Sequence, residues 1–221
     1  MNELSQAQRL RGKNVVVIGG SRGLGRAIVA AAHAEGAHVL AVARQEAELA
    51  KLTEELSGVQ VLALDATSES APARVFAALS PDVLIVCAGA IPHMAPLGEQ
   101  SWEQFSRNWN TDVKIALLFS QAALTTPLPS GTTIILMSSG AAISGSPLSG
   151  GMLAQSALRC FLPGMPRKNL TTDHSVCASS RWHRAAILCQ KRTSGRLRPP
   201  PTLLLKAFPS RTSSGAGNLL R

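Results

Sequence analysis

The chain has 221 residues, 45% of them hydrophobic, enough apolar material for one sizeable core. Residues 1–160 carry 11 Lys+Arg against 12 Asp+Glu and residues 161–221 carry 11 against 1, so the formal charge of +9 belongs to the last quarter of the chain. Four cysteines without a Cys-x-x-Cys pair argue against a disulfide framework, while the polar start "MNELSQAQRLRGKN" and the shortness of apolar runs such as "VLIVCAGAI" give the expectation of a cytoplasmic protein without a membrane span.

From residue 14 to about 160 two textures alternate. Short apolar, β-branched runs stand at 14–19, 38–43, 59–64, 82–88 and 132–138. Each is nearly continuous, as expected of a strand covered on both faces. Helix-like segments stand between them at 25–36, 45–56, 70–79 and 110–124. Strands that alternate with helices imply an α/β fold with a doubly wound parallel sheet, Rossmann-like. Residues 1–162 are read as this nucleotide-binding domain. Residues 163–221 are a basic, Pro-, Arg- and Ser-rich tail with one strand-like run, "AAILCQ", and are read as disordered or non-native.

The first βα junction reads "VVVIGGSRGLGRAIV". Glycines between a strand and a helix permit a sharp turn and let backbone N–H groups approach a pyrophosphate at the helix N-terminus. Gly19, Ser21, Arg22, Gly23 and Leu24 are therefore candidate cofactor contacts. The second strand ends in "AVARQE", with Arg44 where a carboxylate would select NAD. Arg22 and Arg44 suit a ribose 2′-phosphate, which favours NADPH over NADH.

The spacing Gly19-x-x-x-Gly23-x-Gly25 resembles the glycine turn of the short-chain dehydrogenase/reductase family, which often has Thr where Ile18 stands. The resemblance extends along the chain. Asp65-Ala66 after the third strand matches the acid that contacts adenine in the family. "VCAGA" resembles its Asn-Asn-Ala-Gly motif, with Ala88-Gly89 kept and Cys87 in place of an asparagine. Asn110 matches the asparagine that holds a proton-relay water, and Ser139 the serine that orients a substrate carbonyl. The resemblance implies NADPH-dependent interconversion of small carbonyls and alcohols, and homo-oligomers in intact members.

The family's proton donor is the tyrosine of a Tyr-x-x-x-Lys helix. A neighbouring lysine and the cofactor lower the tyrosine's pKa from near 10. The expected position, thirteen after Ser139, holds Met152, and the lysine position holds Ser156. A thioether donates no proton, a serine hydroxyl carries no charge, and the chain contains no tyrosine at all. The resemblance therefore implies an inactive chain. A frameshift would account for the loss. If the codons were T-ATG-CTG-GCG-CAA-AG, they would read Met-Leu-Ala-Gln and then serine from the second base, as residues 152–156 do. From the first base the same string would read Tyr-Ala-Gly-Ala-Lys, the family motif in place. A shifted, GC-rich frame from about residue 152 also explains the basic tail, and implies that the C-terminal part of the fold is missing.

Three other readings stay open. The tail could hold nucleic acid through its eleven basic residues, although no recognition module and few aromatics accompany them, so no specific nucleic-acid partner is expected. His174, Cys177, His183 and Cys189 match no familiar zinc spacing, so no metal is expected. An evolved, non-catalytic cofactor-binding protein is the third.

Overall fold

The computed structural model describes residues 10–139, 141–144, 146–151 and 154. Five strands in them form one parallel sheet: β1 (Asn14–Ile18), β2 (His38–Ala43), β3 (Gln60–Ala63), β4 (Val83–Val86) and β5 (Thr133–Leu136). Their spatial order is β3-β2-β1-β4-β5. Val15 lies beside Val39 on one side and Val83 on the other, and Val83 beside Thr133. The chain winds outward from β1 to β3, then returns to the far side of β1 for β4 and β5. The direction of winding reverses between β1 and β4, and all C-terminal strand ends face the same way. Ligands of open α/β sheets bind at such a reversal.

The central strands β1, β2 and β4 are buried on both faces over most of their length because both faces are covered, while the edge strand β3 leaves Gln60 and Val61 exposed. Val16, Ile18, Leu40, Val42, Leu84, Val86, Ile134 and Leu136 build one core, with Phe76 and Phe119 set edge to face at 6.2 Å. Val15, Val17, Val39, Ala41 and Ile85 build the other, against Val29, Leu49 and Leu52. The alternation of odd and even residues between two cores is the period-two pleat of the strand.

The connecting helices are α1 (Gly23–Ala34), α2 (Glu46–Glu55) and α3 (Ala71–Ala78). Each presents a narrow apolar stripe to the sheet; α1 buries Gly25, Val29 and Ala32, at helical spacing. A long helical stretch joins β4 to β5. It comprises α4 (Trp102–Asn108), a π-helical segment at Trp109–Val113, and α5 (Lys114–Thr125). The spacing of apolar residues placed this helix at 110–124, eight residues short at its start. The start signal is a capping box: Ser101 Oγ accepts the Gln104 N–H, and Gln104 Oε1 accepts the Ser101 N–H at 2.9 Å. A short α6 (Ala141–Ser144) follows β5. Met152, Ser156 and the tail 163–221 lie outside the described residues, as do the four residues of the rejected zinc set. No helix among the described residues is long and apolar enough to cross a membrane.

Candidate cofactor cavity and catalytic edge

The turn from β1 to α1 is closed by backbone. The N–H groups of Gly19 and Gly20 both donate to Val42 O, at 2.7 and 3.1 Å, and those of Cys87 and Ala88 both donate to Ile18 O at 2.8 Å. The ends of β1, β2 and β4 are thereby drawn together. Two glycines make this possible. Gly19 has φ +90°, and a Cβ there would lie 2.6 Å from Ala88 N. A Cβ at Gly25 would lie 2.1 Å from Gly19 O, so only glycine lets α1 start this close to the turn. Arg22, the residue before α1, is extended and makes no side-chain cap, and the first turn of α1 contains no acid. The helix N-terminus is thus arranged for an anion brought from outside.

A cavity of about 380 Å³ opens over this turn, at the reversal between β1 and β4. Gly19, Ser21, Arg22, Gly23 and Leu24 line it from the turn, Arg44 from the end of β2, Asp65 and Ala66 from the end of β3, and Ala88 and Gly89 from the end of β4. Every residue expected to touch a cofactor faces the same space. Gln45, Thr67, Thr111, Ile115 and Met137 line it too, without a local motif to announce them. Arg22 and Arg44 are exposed, and neither forms an ion pair among the described residues. Asp65 Oδ1 accepts the Thr67 N–H at 2.9 Å and the Thr67 hydroxyl at 2.8 Å. These bonds, with the Arg44 and Lys114 cations, hold its carboxyl below the usual carboxylate range. It stays an acceptor near neutral pH, as a contact to an exocyclic amine requires.

Behind the β4 end lies a buried polar pair. Asp112 Oδ1 accepts the Ala90 N–H at 2.6 Å; Asn108 Nδ2 donates to Ala90 O at 2.9 Å and to Asp112 Oδ2 at 3.1 Å. A Cβ at Gly89 would lie 2.9 Å from Asp112 Oδ1. The pair therefore grips both polar groups of Ala90 and holds the Ala88-Gly89-Ala90 turn against the helix. Asn110, the residue singled out from the sequence, is exposed and does not line the cavity. The expectation for Asn110 rests on the family resemblance alone; the helix winds as a π turn here, which changes which side chains face inward. A polar i, i+4 pair in line with the buried Ile115 and Phe119 was the available signal.

Ser139 lies two residues beyond Met137, a cavity-lining residue. Its Oγ accepts the Ala141 N–H at 3.2 Å, which caps α6 and fixes the side chain. A hydroxyl that accepts in this way can still donate its proton to a carbonyl oxygen. The chain then returns to the loop after β4: Ala95 N–H donates to Leu148 O at 2.8 Å. Gly150 and Gly151 sit directly on α4, and a Cβ at Gly151 would meet Phe105 O at 2.1 Å. The approach to position 152 is therefore anchored by residues that precede it.

A family profile described as short chain dehydrogenase matches residues 13–151. Human L-xylulose reductase is 33% identical over 112 residues, 51% of this chain and 46% of that protein. Pig carbonyl reductase (NADPH) 2 is 31% identical over 110 residues, 50% of this chain and 45% of that protein. The matched region thus spans about half the length of these curated relatives. Among solved structures, a short chain dehydrogenase from Pseudomonas syringae superposes with a TM-score of 0.69 at 22% identity, covering 81% of this chain and 80% of that one, which is a likeness of fold.

Proposed function

The chain belongs to the short chain dehydrogenase family, and on that premise we propose that it descends from an NADPH-dependent reductase of small carbonyls and, as written, holds the cofactor without turning over. The observation that carries the cofactor half is the convergence of Arg22, Arg44 and the uncapped α1 N-terminus on one cavity. The residues fit a dinucleotide: a glycine turn a Cβ would fill, helix N–H groups for the pyrophosphate, and two exposed guanidinium groups without an ion pair among the described residues for a 2′-phosphate. The word NADPH in the pig relative's name agrees with this choice.

Bound NADPH supplies a hydride. In this reading Gly19, Ser21, Gly23 and Leu24 bind its phosphates, Arg22 and Arg44 the 2′-phosphate, Asp65 and Ala66 the adenine, and Ala88 and Gly89 the wall beside the nicotinamide. Ser139 donates a hydrogen bond to the substrate carbonyl. A serine hydroxyl is too weak an acid to be a proton source at neutral pH, so the proton must come from elsewhere. Asn110 is proposed from resemblance alone, as the site of a relay water. Met152 and Ser156 occupy the places of the acid and of the cation that tunes it, and neither can do that work.

We attribute the loss to a frameshift near residue 152. The family match ends at Gly151, one residue before Met152, and the charge balance changes soon after. Small carbonyl or alcohol partners, a homo-oligomer in the repaired chain and a cytoplasmic location belong to the same proposal. The test is direct. NADPH and NADH are titrated into the full chain by fluorescence, and the DNA encoding residues 145–170 is read in all three frames. Tight NADPH binding, weaker NADH binding and a neighbouring frame continuing as Tyr-Ala-Gly-Ala-Lys are expected. A folded chain that ignores NADPH removes the cofactor assignment. Ordinary carbonyl reduction by the verified chain removes the inactivity.

A further inference from the structure

Asp112 is buried in the π-helical segment, and it stands directly behind one wall of the cofactor cavity. Gly89 lines that cavity, as do Thr111 and Ile115 on either side of Asp112 in the same helical stretch. A Cβ on Gly89 would lie 2.9 Å from Asp112 Oδ1 and 3.1 Å from Oδ2. The carboxylate therefore rests against the backbone of the wall, and no side chain on Gly89 stands between them.

Both oxygens accept N–H donors: Oδ1 takes the Ala90 N–H at 2.6 Å, and Oδ2 takes the Asn108 Nδ2–H at 3.1 Å. Hydrogen bonds of this kind favour the ionised carboxyl, and neither donor carries a charge of its own. Holding the Ala90 turn asks only for an acceptor, which an asparagine would also supply. A carboxylate adds a fixed negative charge, and burial makes such a charge felt more strongly than it would be at the surface.

We propose that Asp112 sets which redox form of the cofactor this chain prefers: its charge behind Gly89 favours the cationic nicotinamide of NADP+ over the neutral ring of NADPH. The proposal rests on the cofactor reading above, in which Gly89 walls the nicotinamide. The two forms carry the same phosphates and differ by one positive charge on that ring. Arg22, Arg44 and the α1 N-terminus act on the phosphates in that reading, so they serve both forms alike and drop out of the ratio of affinities. A fixed charge beside the ring acts on the difference, by about threefold or more for a buried group at an intermediate effective dielectric.

The test titrates the full chain with NADP+, NADPH and ADP-ribose 2′-phosphate, which lacks the nicotinamide, by isothermal calorimetry. Binding rather than turnover is read, so the missing acid does not matter. The unaltered chain should bind NADP+ at least about threefold more tightly than NADPH. In Asp112→Asn that ratio should move at least about threefold toward NADPH, with affinity for ADP-ribose 2′-phosphate unchanged within about twofold. Asn108→Ala takes a hydrogen bond from the same pair and keeps the charge, so its ratio should stay that of the unaltered chain. A ratio that moves alike in both variants shows that Asp112 acts through structure alone, and overturns the proposal. So does a ratio that Asp112→Asn leaves in place. An unaltered chain that prefers NADPH overturns it as well, a result that depends on no variant folding. Each of these outcomes leaves the cofactor reading intact. A folded chain that binds none of the three ligands removes that reading, and the proposal falls with it.

Discussion

The half of the sheet built from β1, β2 and β3 and the edge that follows β5 were made under different constraints. In the first half the parts of the proposed nucleotide site support one another: glycines where a Cβ would strike backbone, carbonyls of Ile18 and Val42 each serving two N–H groups, and Asp65 held ionised by Thr67. At the second edge the preparation is equally close. Ser139 is fixed by Ala141, and Gly151 is pressed on Phe105. Yet the residues this preparation would serve, at 152 and 156, are Met and Ser. On the proposed reading, the contrast teaches that cofactor binding and catalysis can share a scaffold and be lost separately, because the proposed cofactor contacts lie at strand ends and precede position 152 in the chain.

The largest test of that contrast is repair. Replacing the chain from residue 152 with a family-type continuation that carries Tyr and Lys four residues apart should raise NADPH oxidation with a small ketone by at least about 10³-fold over the present chain, the scale of a positioned general acid. The point variant Met152→Tyr with Ser156→Lys should recover far less, since it leaves the following residues unrepaired. Gly25→Val attacks the intact half. Its side chain would meet Gly19 O, and a loss of about 3 kcal/mol in stability is expected, read by urea unfolding and accompanied by loss of NADPH binding. Asp112→Ala leaves the Ala90 N–H buried without its acceptor and should cost about 2 kcal/mol, whereas Asp112→Asn keeps an acceptor and should cost less. Arg44→Ala should weaken NADPH about tenfold with NADH changed less than twofold, measured by fluorescence titration.

The smallest effect is a control outside both regions. Asp82 accepts the Asn14 N–H at 2.9 Å and pairs with Lys13, and these contacts hold its carboxyl below the ordinary range. A lowered folded pKa means the stabilisation is complete above the unfolded value near 4 and disappears as pH falls through the folded value. Asp82→Asn should therefore cost about 1 kcal/mol at neutral pH, shrinking toward zero in acid, with cofactor affinity unchanged at every pH.

The strands, the glycine turn and the Arg44, Asp65 and Gly89 positions were legible in the sequence because their signals are local. Apolar runs, turn chemistry and the order of motifs need no knowledge of neighbours in space. Strand boundaries agree to within one or two residues for that reason; β2 is 38–43 in both. The absence of tyrosine was legible too, from composition alone. What only the tertiary structure decided is which side chains share a space. The order β3-β2-β1-β4-β5 gathers residues from all five strand ends around one cavity, and no spacing in the chain states that order. Likewise the π turn buries Asp112, where it accepts the Ala90 N–H of the β4 turn, and leaves Asn110 exposed, an outcome that depends on contacts distant in sequence.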